Sequence, residues 1–276
     1  MNCFEKVMPF DKYSGSENEG DYYKDGLRYC GKCHKKKQTR VRWGGRERVV
    51  NCVCLCDEEA EMKAKARAEE INRIDAIKRN RRLGFPDDEL VKCTFDKDDG
   101  KSPHIMRVAE NYVKNFEEAK ADGKGLLLLG ETETGKSFAA ACIVNALIDK
   151  GYCCQMTNIS MLINRIWDKG NKAQSVLDNL KYYDLLVIDD LGVEHNSEYV
   201  MSQQQQIIDA RYRSGKPIIV TTNLTATQLK NPKNIVEDRL FSRLYEMCIP
   251  YEVAGIKRRQ EKLKESFQKY KTLLDI

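Results

Sequence analysis

Short, continuous apolar runs punctuate an otherwise strongly charged chain. "LLLL" at 126–129, the run inside "YDLLVIDDLG" (183–192) and "PIIVTTN" (217–223) are each closed by turn-forming residues. A continuous run of this length reads as a strand buried on both faces, whereas a one-sided strand alternates apolar and polar positions. "YCCQMTN" (152–158) predicts a further strand, and a short one is expected near 247–253. Between the runs the pattern is helical, over about 104–121, from 160 to 167, over 198–213 and over 234–244. Strand and helix therefore alternate, which predicts an α/β fold: a parallel sheet covered by helices on both faces.

Ahead of this region, "DEEAEMKAKARAEEINRIDAIKRNRRL" (57–83) is rich in Ala, Glu, Lys and Arg. Met62, Ala66, Ile74 and Ile77 mark its apolar stripe, and "GFP" at 84–86 stops the helix. A basic amphipathic helix is expected at the far end, over 257–274. The organisation predicted is a flexible arm (1–29), a cysteine-rich module (30–56), a linker helix (57–84), a nucleotide-binding α/β domain (85–256) and a basic C-terminal helix (257–276).

Composition narrows the function classes. With 276 residues, 41% hydrophobic and 32% charged, the chain can bury a substantial core. Net charge of +5 is too mild to identify a nucleic-acid binder, so the distribution of charge matters more than its total. No apolar run approaches the ~20 residues of a membrane span. The polar start "MNCFEKVMPFDKY" is unlike a signal peptide, so a cytoplasmic location is expected. In that compartment the 11 cysteines are reduced thiols or metal ligands.

The richest chemistry follows "LLLL". Gly130-Glu131-Thr132-Glu133-Thr134-Gly135-Lys136-Ser137, with Phe138 next, satisfies the phosphate-loop pattern G-x-x-x-x-G-K-[ST]. Amide hydrogens of such a loop wrap the phosphates of ATP. Its lysine reaches the β- and γ-oxygens, and its hydroxyl is a ligand for Mg²⁺. Here the loop stands between an apolar strand and a helical run, so the helix N-terminus points at the anion. One residue is unusual: Glu133 stands where many such loops have glycine.

Three other segments complete a phosphoryl-transfer site. Asp189 and Asp190 end a buried strand, the edge at which ligands bind in open α/β sheets. Asp189 suits Mg²⁺ held through water, and Asp190 suits a base or water-positioning role. Asn223 ends the next strand, where it either orients the attacking water or forms a turn. Arg239 and Arg243 lie four apart on one helix, as surface ion pairs or as an arginine finger for a neighbouring subunit.

The upstream module carries Cys30-Gly-Lys-Cys33 and, after 18 intervening residues, Cys52-Val-Cys54-Leu-Cys56. Two such groups can supply four thiolates to a structural Zn²⁺. Five cysteines compete for four places; an extended C-x-C-x-C puts alternate residues on one face, and spacing does not choose the pair. His34 is an additional candidate. Lys32, Lys35, Lys36, Lys37, Arg40, Arg42, Arg46 and Arg48 share this segment with Tyr29 and Trp43. Phosphate charge and base stacking make such a mixture suitable for single-stranded nucleic acid, and an acidic protein partner is the alternative.

Taken together, "GETETGKS", "YYDLLVIDDLG", "IIDARYRSGKPIIVTTNL" and "EDRLFSRLYEM" resemble the AAA+ ATPases of the DnaC/IstB type over about residues 90–260. These are replicative helicase loaders, including phage and prophage versions, and related transposition helper ATPases. The resemblance implies an AAA+ P-loop fold with ATP and Mg²⁺. By position it makes Lys136 and Ser137 the phosphate and metal residues, Asp189 the metal-supporting acid and Asp190 the catalytic acid. Asn223 becomes sensor 1 and Arg243 the finger, with Arg239 close by and Arg258 or Arg259 as a second sensor. Asp190 departs from the glutamate of most AAA+ proteins, although an Asp-Asp pair is familiar in this family. The cysteine-rich segment resembles the N-terminal region of phage-type loaders. The expected function is loading a replicative DNA helicase onto single-stranded DNA by an ATP-dependent homo-oligomer, with no membrane partner. A transposition helper acting on duplex DNA and a nucleotide switch with negligible turnover are the alternatives.

Overall fold

The computed structural model describes residues 19–170, 173–192, 198–254, 267–268 and 270–274. The chain divides into two compact units, one ending at Ile74 and the other beginning at Asp75. Of the basic helix expected over 257–276, residues 267–268 and 270–274 are described and helical, while the second-sensor arginines, Arg258 and Arg259, lie outside the described residues. Among the described residues no helix is long and apolar enough to cross a membrane.

Among its described residues, the first unit is built from two hairpins and the start of a long helix. β1 (Tyr22–Lys24) and β2 (Leu27–Tyr29) pair antiparallel across Asp25-Gly26, whose φ angles of 54° and 70° suit a two-residue hairpin turn. This corrects the expectation of a flexible arm reaching residue 29. The Asp-Gly turn closes the strands, and Tyr22 stacks on Tyr29 with ring centroids 5.7 Å apart. β3 (Gln38–Trp43) and β4 (Arg46–Asn51) form the second hairpin across Gly44-Gly45. α1 (Leu55–Leu83) follows with no buried residue. Its expected apolar stripe is not a core face: Met62, Ala66 and Ile74 are exposed, and only Ile77 packs on a core, that of the second unit.

After the end of α1, the second unit continues with α2 (Asp88–Val91), α3 (Pro103–Lys114) and α4 (Phe116–Ala121). One helix was expected over 104–121; the break falls at Asn115, whose side-chain amide donates to the Asn111 carbonyl 2.9 Å away. Asparagine competes locally for backbone partners, so it readily interrupts a helix. Next come β5 (Gly125–Leu129), α5 (Lys136–Asp149), β6 (Cys154–Asn158), α6 (Ile159–Lys169) and α7 (Ala173–Leu180). β7 (Leu185–Asp189), α8 (Glu198–Arg213), β8 (Ile218–Thr222), α9 (Ala226–Lys230), α10 (Ile235–Met247) and β9 (Cys248–Glu252) complete it.

All five strands are parallel, in the order β6-β7-β8-β5-β9. Their alternate residues feed two cores. Leu126, Leu128, Val187 and Ile219 pack against α3 and α5; Leu127, Leu129, Leu186, Ile188 and Val220 pack against α6, α8 and α10. Burial of each such side chain contributes about 1.5–3 kcal/mol. That explains why β5 and the buried part of β7 carry no polar face. Gly125 is required where β5 enters the sheet, because a Cβ there would lie 1.7 Å from the Ile218 carbonyl oxygen. On β6 the Met156 N–H is satisfied at 2.6 Å by the Gly84 carbonyl, just past α1.

Arg211, fully buried at the end of α8, was not anticipated as special. Its guanidinium donates to the carbonyls of Pro217, Leu180, Tyr183 and Asp184 at 2.6–3.2 Å, tying α8 to the lead-in segments of β7 and β8. The helix after β5 covers one face of the sheet, while those after β6, β7 and β8 cover the other. The crevice between the ends of β5 and β8 is therefore the topological switch point, where ligands bind in open α/β folds.

Candidate functional site

The phosphate loop occupies that crevice. Gly130 leaves β5 at φ 141°, with space for no Cβ because the Val253 carbonyl oxygen would be 2.5 Å away. Thr134 is buried and donates its hydroxyl to the Glu131 carbonyl at 3.0 Å, closing the loop on itself. Gly135 caps α5 in the left-handed region, at φ 95°. Thr132 is exposed, and Ser137 is half-buried on the first turn of α5. Phe138 packs against the core below.

Lys136 is buried, and its Nζ donates to the Gly130 carbonyl (2.8 Å), the Glu131 carbonyl (2.6 Å) and Asn223 Oδ1 (3.1 Å). Burial lowers its pKa, a tendency opposed by the nearby Asp190 and Asp189 carboxylates. Asn223 in turn donates its Nδ2 to Asp190 Oδ1 at 3.1 Å. One hydrogen-bonded chain thus joins the loop lysine, the residue after β8 and the second aspartate. Asp189 accepts from the Thr221 hydroxyl at 2.6 Å. Asp190 is exposed and left-handed, at φ 56°.

Glu133 also adopts a left-handed conformation, at φ 70°. Its side chain is half-buried, and among the described residues Oε2 has no hydrogen-bond partner. Among the described residues it is neither fully exposed nor paired with a lysine, which leaves a subunit neighbour as the remaining way to neutralise it. Arg243 is not gathered into this cluster. Its Nε lies 2.7 Å from Asp209 Oδ1, and its guanidinium sits 4.5 Å above the Tyr212 ring, both on α8. Arg239, one turn earlier, is exposed. Sequence reasoning missed Thr221, Asp209 and Tyr212, although all three lie in or beside segments it had singled out.

In the first unit, Cys30, Cys33, Cys54 and Cys56 bring their Sγ atoms within 4.8 Å of one another. Zn–S bonds of about 2.3 Å in a tetrahedron set sulfurs about 3.8 Å apart. The four thiols therefore fit Zn²⁺ with slight contraction. The C-x-C-x-C is not extended throughout, because α1 begins at Leu55, so alternation does not select the pair. Cys52 instead turns to the Lys36 carbonyl at 3.3 Å, outside the cluster. His34 is also outside, its Nδ1 3.4 Å from the Tyr22 hydroxyl.

The knuckle is preformed by His34 N–H donating to the Cys30 carbonyl and Cys30 N–H to that of Lys35, each at 2.9 Å. Backbone hydrogen bonding from Lys35 holds the Cys33 thiol down at about 7. Burial pushes Cys54 up to about 12, and the Cys33 sulfur pushes Cys56 up to about 11. Buried Lys37 bridges Asp21 (3.0 Å) and Asp57 (3.1 Å), joining the first hairpin to the helix start. The tip of the second hairpin presents exposed Trp43 beside Arg42 and Arg46.

A family model described as IstB-like ATP binding protein matches residues 52–264. The chain is 28% identical over 242 residues to the phage-like element PBSX protein XkdC of Bacillus subtilis (strain 168), covering 83% of each. It is 29% identical over 145 residues to the replicative helicase loader DnaC of Escherichia coli (strain K12), covering 51% of this chain and 57% of that one. Among solved structures, that of DnaI superposes with a TM-score of 0.52 at 23% identity, covering 65% of this chain and 99% of that chain. The DnaC helicase loader does so with a TM-score of 0.52 at 24% identity, covering 61% and 100%. These likenesses show the fold, a five-stranded parallel sheet flanked by helices. With most of its length matched by one family model, the chain belongs to the IstB-like ATP binding proteins.

Proposed function

We propose that the chain is an ATPase whose assembly places a replicative DNA helicase on single-stranded DNA. The observation that carries this reading is the hydrogen-bonded chain from Lys136 through Asn223 to Asp190, beside Asp189, at the switch point of the sheet. Lys136 holds phosphate oxygens. Asn223 and Asp190 orient the attacking water, with Asp190 accepting its proton. Ser137 and Asp189 fit Mg²⁺, which would neutralise charge on the transferring phosphoryl group. The amides of residues 130–135 wrap the phosphates, and Phe138 supports the loop from the core side. The names of DnaC and DnaI relatives, both replicative helicase loaders, support the helicase as partner.

Arg243 acts as the finger toward a neighbouring subunit's nucleotide in a homo-oligomer. To do so it must leave Asp209 and Tyr212, so its own subunit competes for it. In the first unit, Cys30, Cys33, Cys54 and Cys56 hold structural Zn²⁺, and the hairpin bearing Trp43, Arg42 and Arg46 meets single-stranded DNA through stacking and phosphate charge.

The test is transfer of a purified hexameric helicase to single-stranded DNA covered by binding protein, with ATP hydrolysis followed in parallel. Wild type should bind the helicase and accelerate transfer, and Lys136→Ala should do neither with ATP. Absence of both activities in the wild type refutes the reading. The matched family also favours a second one, a transposition helper. ATP-dependent assembly on duplex DNA without helicase affinity would select it. Full loading by Asp190→Asn would mean that ATP acts as a switch.

A further inference from the structure

Where β7 and β8 run out, a threonine replaces the sheet. Their ladder ends at Ile188↔Val220, and the next backbone amides of the β7 side need other partners. Thr221, 1% exposed, supplies one of them: its Oγ1 accepts the Asp190 N–H at 2.8 Å. The same oxygen donates its hydrogen to Asp189 Oδ1 at 2.6 Å. A hydroxyl has a single hydrogen, so accepting from a backbone N–H and donating to a carboxylate fixes both bonds in one polarity. The Thr221 carbonyl also takes the Leu191 N–H, at 2.8 Å.

We propose that Thr221 is a positioning residue for phosphoryl transfer, setting the orientation of both aspartates through one hydroxyl. The inference rests on the ATPase reading above. With Oδ1 engaged, Asp189 has its other oxygen left for a metal-bound water. With its N–H held, Asp190 keeps the left-handed backbone that delivers its carboxylate to Asn223. A non-glycine residue in that conformation is disfavoured, so it persists only while neighbours hold it. Thr222 does a different job. Its hydroxyl donates to the Leu191 carbonyl and accepts the Leu224 N–H, binding the turn without touching either carboxylate.

The test uses the full chain with Thr221→Val, which keeps the shape and removes the hydroxyl, and Thr221→Ser, which restores it. Steady-state ATP hydrolysis is measured with a Mg²⁺ titration at saturating ATP. Partners that orient a metal ligand from behind are worth about 10–100-fold, so kcat should fall about tenfold or more in Thr221→Val. KM should stay within about threefold and half-saturating Mg²⁺ should rise, while Thr221→Ser should recover to within about threefold of wild type. Equal kcat and Mg²⁺ dependence in wild type and Thr221→Val would overturn the inference.

If Thr221→Val does not fold, Thr221→Ser against Thr221→Cys decides, since both lack the methyl and differ in hydrogen bonding; equal rates overturn it. If the wild type shows no hydrolysis, the ATPase reading fails by itself. Mg²⁺-dependent ATP binding then decides, with a shift in Thr221→Val in favour and its absence against.

Discussion

Replacing Glu133 by glycine separates two costs that this residue imposes on the phosphate loop. The first is conformational. At φ 70° an L-residue is disfavoured by about 1–2 kcal/mol, and glycine removes that strain. Glycine also gives the unfolded chain more freedom, worth about 0.5–1 kcal/mol, so folding stability should rise by at most about 1.5 kcal/mol. The second cost is electrostatic. A carboxylate about 4 Å from a phosphate charge repels it by about 4 kcal/mol at an effective dielectric of 20.

Glu133 is half-buried with Oε2 unpartnered, so water screens part of this repulsion and none of the described side chains cancels it. A residual of about 1.5–3 kcal/mol corresponds to about ten- to a hundredfold in ATP affinity. Titration of the dilute protein with ATP, by calorimetry or with a fluorescent analogue, reads it directly. Glu133→Gly should tighten binding by that factor, and wild-type affinity should rise with protein concentration as subunits assemble. Glu133→Gln removes the charge and keeps the backbone strain, so a charge effect appears in both variants and a backbone effect in glycine alone. Tightening below about twofold in both would refute the reasoning, because the carboxylate would then be turned away from the phosphates.

Chelation should unfold the cysteine module, as for small domains in which metal binding supplies the folding free energy. Cys54→Ser should lose zinc while Cys52→Ser keeps one equivalent, by metal content and circular dichroism. Asp184 loses water by burial, yet the Cys153 N–H and the Lys120 ammonium, each 2.9 Å away, hold its pKa below the usual carboxylate value. A depressed folded pKa adds stability above the unfolded value of about 3.9 and loses it as pH falls through the folded one. Asp184→Asn should therefore cost about 1 kcal/mol at pH 7 and little near pH 2, by urea denaturation at each pH. Arg211→Lys keeps the charge but cannot reach all four carbonyls with a flat guanidinium. It should destabilise the second unit by about 3 kcal/mol, seen as a lower urea midpoint with unchanged slope.

The candidate nucleotide site was legible because the pattern it rests on is local. A phosphate loop needs glycine, lysine and a hydroxyl at set spacing between strand and helix, and all of them lie in one segment. The buried strands announced themselves by continuous apolar runs, since helices cover both faces. The misreadings arose where local rules met competing ones. An Asp-Gly turn ordered the hairpin taken for an arm, and Asn115 split a helix whose periodicity ran through it. α1 has helical composition, but its Met62 and Ile74 find no core, because amphipathic spacing says nothing of what lies opposite.

By itself, the sequence determined the α/β class, the loop from Gly130 to Ser137, the aspartate pair and the five candidate thiols. Each of these depends on residue types a few positions apart, which chain geometry converts directly into neighbours. Only the tertiary structure decided which four thiols converge, that Arg243 rests on Asp209 and Tyr212, and that Thr221 grips both aspartates. Those pairings join residues more than 20 positions apart or turn on where a helix begins. They are settled by strand order and packing, which no spacing rule along a single segment encodes.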